Sequence, residues 1–213
     1  MFRKKNAFGG ILLLCAFALP AVTAWAQTPA PRSALSLPHG ARFTVQRFGE
    51  QLGLGVVTVT TLAQDRQGFL WVGTQTGLFR YDGARVQKWP EVDKIAGHYI
   101  DQVLIAPDET VWVKGSVGVG YFTQGHFEKF PLPAEVKPTG ASEALALDHG
   151  GNLFLAVDKG LLRAGIRNPA NARLFTTKDG LPGRVENVVL GPKDEVWFTS
   201  EHQLGHFAAG AAT

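Results

Sequence analysis

The chain has 213 residues, 45% of them hydrophobic and 18% charged, with 25 Gly and 12 Pro. This composition disfavours both a disordered chain and a multi-span membrane protein. The formal charge of +3 resides in Arg3, Lys4 and Lys5; beyond residue 26 there are 18 basic and 18 acidic residues, so nothing favours a nucleic acid or an anionic membrane as partner.

Residues 1–26 read as a signal peptide. A basic start precedes an apolar stretch around Ile11 to Leu19, and Ala24-Trp25-Ala26 places small residues at −3 and −1 of a cut after Ala26. An uncleaved anchor is the rival reading, because Ala7 to Ala26 carries no charge; Pro20 and the Ala-x-Ala site favour cleavage. Cys15 follows Leu14 rather than a small residue, which argues against lipidation. Met1 and Cys15 are the only sulfur-bearing residues, so the remaining 187 residues hold no disulfide, thiolate metal site or Cys nucleophile. Residues 27–41 include three Pro among small side chains and read as a flexible linker.

From residue 42 to 207 the pattern is short β-type runs divided by Gly, Asp and Pro. Four segments align on one large aromatic: Trp71, Trp112, Phe154 and Trp197, spaced 41, 42 and 43 residues apart. Nine positions before these anchors stand Leu62, Val103, Leu145 and Val188; six positions after stand Gly77, Gly118, Gly160 and Gln203. The first unit divides into runs at Val57 to Ala63, Phe69 to Thr74, Leu78 to Tyr81 and Ala84 to Trp89. Asp65-Arg66-Gln67-Gly68 and Asp82-Gly83 supply the turn chemistry between them.

A four-stranded antiparallel meander repeated about every 42 residues predicts an all-β fold, a β-propeller with about four blades. The anchors are then core residues facing the next blade rather than a sugar-stacking platform, and Gly77, Gly118 and Gly160 allow a positive φ at the turn. The fourth unit stops after three strands near Phe207, and Arg42 to Phe48 is an orphan strand. Donating that strand to the last blade would close a ring of four; an open, partial ring is the other outcome. Residues 208–213 form a low-complexity tail.

Leu62 to Gly83, LAQDRQGFLWVGTQTGLFRYDG, resembles the two-component regulator propeller repeat, and Thr176 to Pro182, TTKDGLP, resembles the linker that precedes such repeats. The later repeats depart from the pattern: Lys114-Gly115 replaces Gly73-Thr74, Phe154 replaces Trp, and Gln203 replaces Gly. The resemblance implies a periplasmic sensor region, the N-terminal part of a receptor whose membrane helix and histidine kinase or diguanylate cyclase lie downstream, with membrane attachment only through that part. It also implies a larger ring than four blades, and a homodimer as one arrangement open to the receptor.

No catalytic motif is legible. Ser116, Ser142 and Ser200 lack a nucleophile elbow. His202 and His206 have metal-like spacing but straddle a hairpin, and Asp148 to Asn152 lacks the carboxylates of a calcium loop. No metal or cofactor is expected. Propellers bind ligands at one end of the central channel, which points to Lys94 to Tyr99, Pro138 to Ser142, Lys178 to Arg184 and the turns at Gln75, Ser116, Lys159 and Glu201. Gln75, His98, Tyr99 and Arg184 are the candidate contacts there, for a small molecule or a periplasmic protein domain. A stand-alone interaction propeller, or a propeller lyase or hydrolase, is the alternative to the sensor.

Overall fold

The computed structural model describes residues 54–55 and 57–207, together with the strand pairing of residues 33–36 and 42–45. The expected signal peptide and tail lie outside the described residues. Two units are distinct, Met1–Arg47 and Phe48–Thr213. In the first, β1 (Ser33–Ser36) pairs antiparallel with β2 (Arg42–Val45). The strand that could have completed the last blade therefore has its backbone partners within the first unit, in the stretch expected to be a linker.

The second unit begins with β3 (Val59–Gln64), β4 (Leu70–Thr74), β5 (Gly77–Tyr81) and β6 (Val86–Lys88), followed by a single helical turn, α1 (Val92–Ile95). The second sheet is β7 (Ile100–Ile105), β8 (Val111–Gly115), β9 (Val119–Thr123) and β10 (His126–Lys129). The third is β11 (Leu145–Leu147), β12 (Asn152–Val157), β13 (Gly160–Gly165) and β14 (Arg173–Phe175); the fourth is β15 (Val185–Leu190), β16 (Val196–Ser200) and β17 (Gln203–Phe207). Every sheet is an antiparallel meander in chain order, three of four strands and one of three. The period-two alternation of β-branched and aromatic residues, cut by Asp- and Gly-containing turns, selects this pairing over helix. The unit is a β-propeller of successive blades.

Trp71, Trp112 and Phe154 sit mid-strand and face the following blade. Trp71 and Leu78 pack with Ile100, Val103, Val111, Val113 and Phe127. Trp112 and Val119 pack with Leu145, Leu153, Leu155 and Val157, and Phe154 and Leu161 with Val185, Val188, Val196 and Phe198. Three apolar cores thus fill the junctions between consecutive sheets. Among the described residues no core cluster joins the fourth sheet to the first.

Trp71, Trp112 and Phe154 are inter-blade core, whereas the fourth anchor, Trp197, is half-buried and stacks on His206 of its own sheet. Trp71 lies 5.7 Å from Phe122 and 5.9 Å from Phe127 of the next sheet. The glycine column is less uniform than the repeat suggested. Gly77 and Gly160 do adopt positive φ, 127° and 146°. Gly118 does not; its constraint is close approach, since a Cβ there would stand 2.6 Å from the Ile95 carbonyl oxygen.

Polar bonds reinforce the junctions at a repeated place. The Val103 N–H donates to Thr61 Oγ1 at 3.2 Å, the Leu145 N–H to Gln102 Oε1 at 2.9 Å, and the Val188 N–H to the Glu143 carbonyl at 2.6 Å. Gln102 also accepts from the Ala144 N–H and donates to the Leu145 carbonyl. The turns at the opposite end carry ion pairs across two junctions, Arg66 to Glu109 at 2.8 Å and His149 to Asp194 at 2.7 Å.

Candidate functional site

Antiparallel pairing sends the middle hairpin of every blade, and the loop that enters its innermost strand, to the same end. Backbone bonds tie each loop to its hairpin. The Gln75 N–H donates to the Thr58 carbonyl, the Val117 N–H to the Ala96 carbonyl, and the Asp158 N–H to the Lys137 carbonyl. Lys137 N–H answers to Asp158 Oδ1 at 3.0 Å. In the fourth blade, Gly183 lies against Ser200 and Glu201. The loops and turns singled out from the sequence therefore share one end.

The loop Thr176 to Pro182 shows how local sequence sets this end. Thr176 caps a short 3₁₀ turn, Thr177–Asp179, by accepting the Lys178 N–H, while the Asp179 carboxylate accepts the Thr176 N–H at 2.9 Å. That bonding holds the Asp179 carboxyl below the usual range. Gly180 then takes φ 93°, which turns Leu181 into the core between the third and fourth blades.

The four predicted contacts lie here but do not converge on one another through any hydrogen bond. Gln75 occupies the β4–β5 hairpin and is exposed. His98 and Tyr99 lie side by side before β7, exposed, with His98 Nδ1 3.1 Å from Asp93 Oδ2. Arg184 is exposed immediately before β15.

A more structured polar group lies beneath them. Lys114, at the end of β8, is fully buried, and its Nζ donates to Asp101 Oδ2 and to the Ala141 carbonyl, both at 2.9 Å. Asp101 itself is 4% exposed. Burial pulls the Lys114 ammonium below the usual lysine range, and its hydrogen bond to Asp101 opposes that pull. The group joins the innermost strand of the second blade to the loop entering the third. Its sequence signal was the substitution of Lys for Gly at the Gly73 place of the repeat, a departure whose partner becomes visible only through strand register.

Further buried polar atoms collect at the same end. Asp93 Oδ1, Thr139 Oγ1 and Ser200 Oγ are all shielded from solvent without a hydrogen-bond partner. Polar groups of this kind are a minority in folded proteins, and ordered water or a bound molecule is the usual explanation. Tyr99 and Val117 add exposed apolar surface on the rim. Among the described residues no group of three or more His, Asp or Glu is placed to hold a metal. His202 lies in the β16–β17 turn, whereas His206 stacks on Trp197 at 4.8 Å.

The two component regulator propeller family profile matches residues 53–76. No curated protein matches the chain. Among solved structures, one similar chain is the extracellular domain of BT4673 from B. thetaiotaomicron, assigned to a hybrid two component system, with 20% identity and TM-score 0.60 over 75% of this chain and 21% of that one. Virginiamycin B lyase from Staphylococcus aureus is similar at 13% identity and TM-score 0.53, over 84% of this chain and 63% of that one. XC5397 from Xanthomonas campestris, a gluconolactonase, is similar at 17% identity and TM-score 0.51, over 81% and 63%. At these identities the likeness is one of fold, and the chain spans about a fifth of the length of the BT4673 domain. Residues 53–76, which enter and begin the first blade, thus match a two component regulator propeller repeat, and the fold around them is that of a β-propeller.

Proposed function

We propose that this chain is the sensory part of an exported receptor of two-component or diguanylate-cyclase type, recognising a small molecule in the periplasm through the loop end of its propeller. The observation that carries the reading is the concentration of Asp93 Oδ1, Thr139 Oγ1 and Ser200 Oγ, buried and without partners, at the end where Gln75, His98, Tyr99 and Arg184 are exposed. The repeat match and the extracellular propellers of similar fold support the signalling context. The loop end offers hydrogen-bond donors and acceptors of both charges, which suits a polar solute such as a sugar or an organic acid.

Thermal unfolding of the purified full chain against a panel of sugars, amino acids and organic acids tests it. A ligand at about a hundred times its Kd adds about 2.7 kcal/mol, which raises the midpoint by roughly 5–11 °C for a chain of this size. Loss of that shift in Tyr99→Ala or Arg184→Ala places the ligand at the loop end. A panel with no stabilising compound, or a shift indifferent to both substitutions, overturns the reading. Exposed Tyr99 and Val117 favour a second reading, a protein-interaction module working through the same loops; Val117→Lys would then abolish association with the partner domain while leaving any solute response unchanged.

A further inference from the structure

The second blade carries a carboxylate of its own at a position where the first blade has none. Trp112 pairs with Tyr121 and Tyr121 with Glu128, just as Trp71 pairs with Arg80 and Arg80 with Gln87. Glu128 therefore corresponds to Gln87, and two residues earlier His126 corresponds to Arg85. Both oxygens of Glu128 are engaged. Tyr121 Oη donates to Oε2 at 2.9 Å, and His126 Nε2 lies 3.2 Å from Oε1. One carboxylate thus joins the residue that replaces Arg80 to the residue that replaces Arg85.

In the first blade both of these donors are arginines, and Gln87 brings no charge to meet them. The Arg80 guanidinium lies over three rings, 4.4 Å from the centre of Phe69, 5.4 Å from Trp71 and 5.3 Å from Trp89. Stacking uses the face of a guanidinium, whereas its five N–H groups lie in the plane and stay available to an acceptor. Among the described residues neither Arg80 nor Arg85 forms an ion pair. Arg80, Asp82, Arg85, Val86 and Gln87 line a cleft of about 340 Å³, a volume within the range of small-molecule sites. It lies by the β5–β6 turn, at the opposite end of the blade from Gln75. Asp82 sets the charge there. Its Oδ1 accepts the Ala84 and Arg85 N–H groups at 2.8 and 2.7 Å, which holds the carboxyl below the usual range and keeps it ionised. Two guanidiniums against one carboxylate leave the cleft a single positive charge.

We infer that this cleft binds a small solute carrying one carboxylate, whose two oxygens bridge Arg80 and Arg85 as those of Glu128 bridge Tyr121 and His126. Guanidinium–carboxylate hydrogen bonds are charge-assisted and directional, so the planar donors select a carboxylate over a spherical anion. Asp82 and Gln87 face the remainder of the solute. The Asp82 carboxylate accepts hydroxyl donors and opposes a second negative charge, which favours a hydroxylated monocarboxylate over a di- or tricarboxylate. The site is separate from the loop end and does not rest on the sensory reading of it.

NMR titration of the isotope-labelled full chain with gluconate, at constant ionic strength, tests the site through the arginine Nε–H and Gln87 side-chain amide signals. Gluconate is expected to saturate with a Kd of about 1–10 mM. Sorbitol, which has the same hydroxylated chain without the carboxylate, should leave those signals in place. Arg85 and Gln87 are both exposed, so their variants should keep the circular dichroism spectrum of the parent. Arg85→Gln should weaken gluconate binding by roughly tenfold or more. Gln87→Glu should abolish it without lowering the melting midpoint, because the new side chain supplies in the chain the carboxylate that Glu128 supplies in the second blade. Tyr99→Ala, at the loop end, should bind gluconate as the parent does. Absence of a saturable shift up to about 100 mM gluconate overturns the inference. So does an equal response to chloride, which would reduce the cleft to general attraction of anions. Full affinity retained in either Arg85→Gln or Gln87→Glu also overturns it, as does loss of binding in Tyr99→Ala, which would move gluconate to the loop end.

Discussion

Replacing Lys114 with Met keeps the unbranched stem up to the ammonium and removes the charge, and the structure says what is then left behind. The Asp101 carboxylate, 4% exposed, loses its cation, and the Ala141 carbonyl loses a donor at 2.9 Å. Breaking a buried pair from one side costs about 3–5 kcal/mol, because the remaining charge stays desolvated. One kcal/mol moves the melting midpoint of a chain this size by about 2–4 °C, so K114M should melt roughly 6–20 °C below the parent. Removing both partners, with Asp101→Leu added, leaves only the carbonyl unsatisfied and should recover most of the loss, to within about 1–3 kcal/mol of the parent. Urea titrations of the four proteins in a double-mutant cycle read the coupling directly. A K114M variant within about 1 kcal/mol of the parent, or two substitutions whose effects add to within about 0.5 kcal/mol, would refute the claim that this pair holds the second blade to the third.

Gln102→Leu should cost about 2–4 kcal/mol in urea unfolding, since the Ala144 and Leu145 N–H groups both lose their acceptor between two blades. Gly160→Ala should cost at least about 2 kcal/mol, because φ is 146° and the new Cβ would stand 2.1 Å from the Phe175 carbonyl oxygen; Gly140→Ala, with open space around it, serves as the control. The His149 pair gives a pH signature. Its hydrogen bond to Asp194 raises the imidazole above 6.5, and the same bond holds the Asp194 carboxyl below 3.8. The His149 contribution is complete below its unfolded pKa and is lost as pH rises through the raised folded value; the Asp194 contribution is lost as pH falls through its depressed one. Urea midpoints measured at about pH 5 and about pH 8 should therefore fall with rising pH more in the parent than in His149→Asn.

The blade architecture could be read from the spacing of Trp71, Trp112, Phe154 and Trp197, because a large aromatic at one repeat position fills the junction to the next blade at the first three of them. Gly77 and Gly160 were legible for a similar reason. Gly118 looked identical in sequence, yet its restriction comes from the Ile95 carbonyl, a contact set by the α1 turn over the hairpin. The pairing of Arg42–Val45 with Ser33–Ser36 was not legible, because residues 27–41 look like linker by composition and strand partners of short segments are decided by register. At the loop end, exposed residues could be placed by topology alone. The Lys114 to Asp101 pair could not, since it lies 13 residues apart and depends on which side of β7 and β8 faces the next loop.

The third sheet is covered on both sides. Leu153, Leu155 and Val157 meet the second blade, while Phe154 and Ala156 meet the fourth. When each unit touches only the one before and the one after, the free energy of the array is close to a sum of sheet terms and junction terms. Detaching an outermost sheet breaks one junction, whereas opening the third breaks two. Amide protons of β12 should accordingly exchange only through concerted opening, while those of β3 and β17 exchange first by fraying from the ends. The array can therefore lose or gain a blade at either end at the cost or gain of a single junction, leaving the interior sheets as they stand.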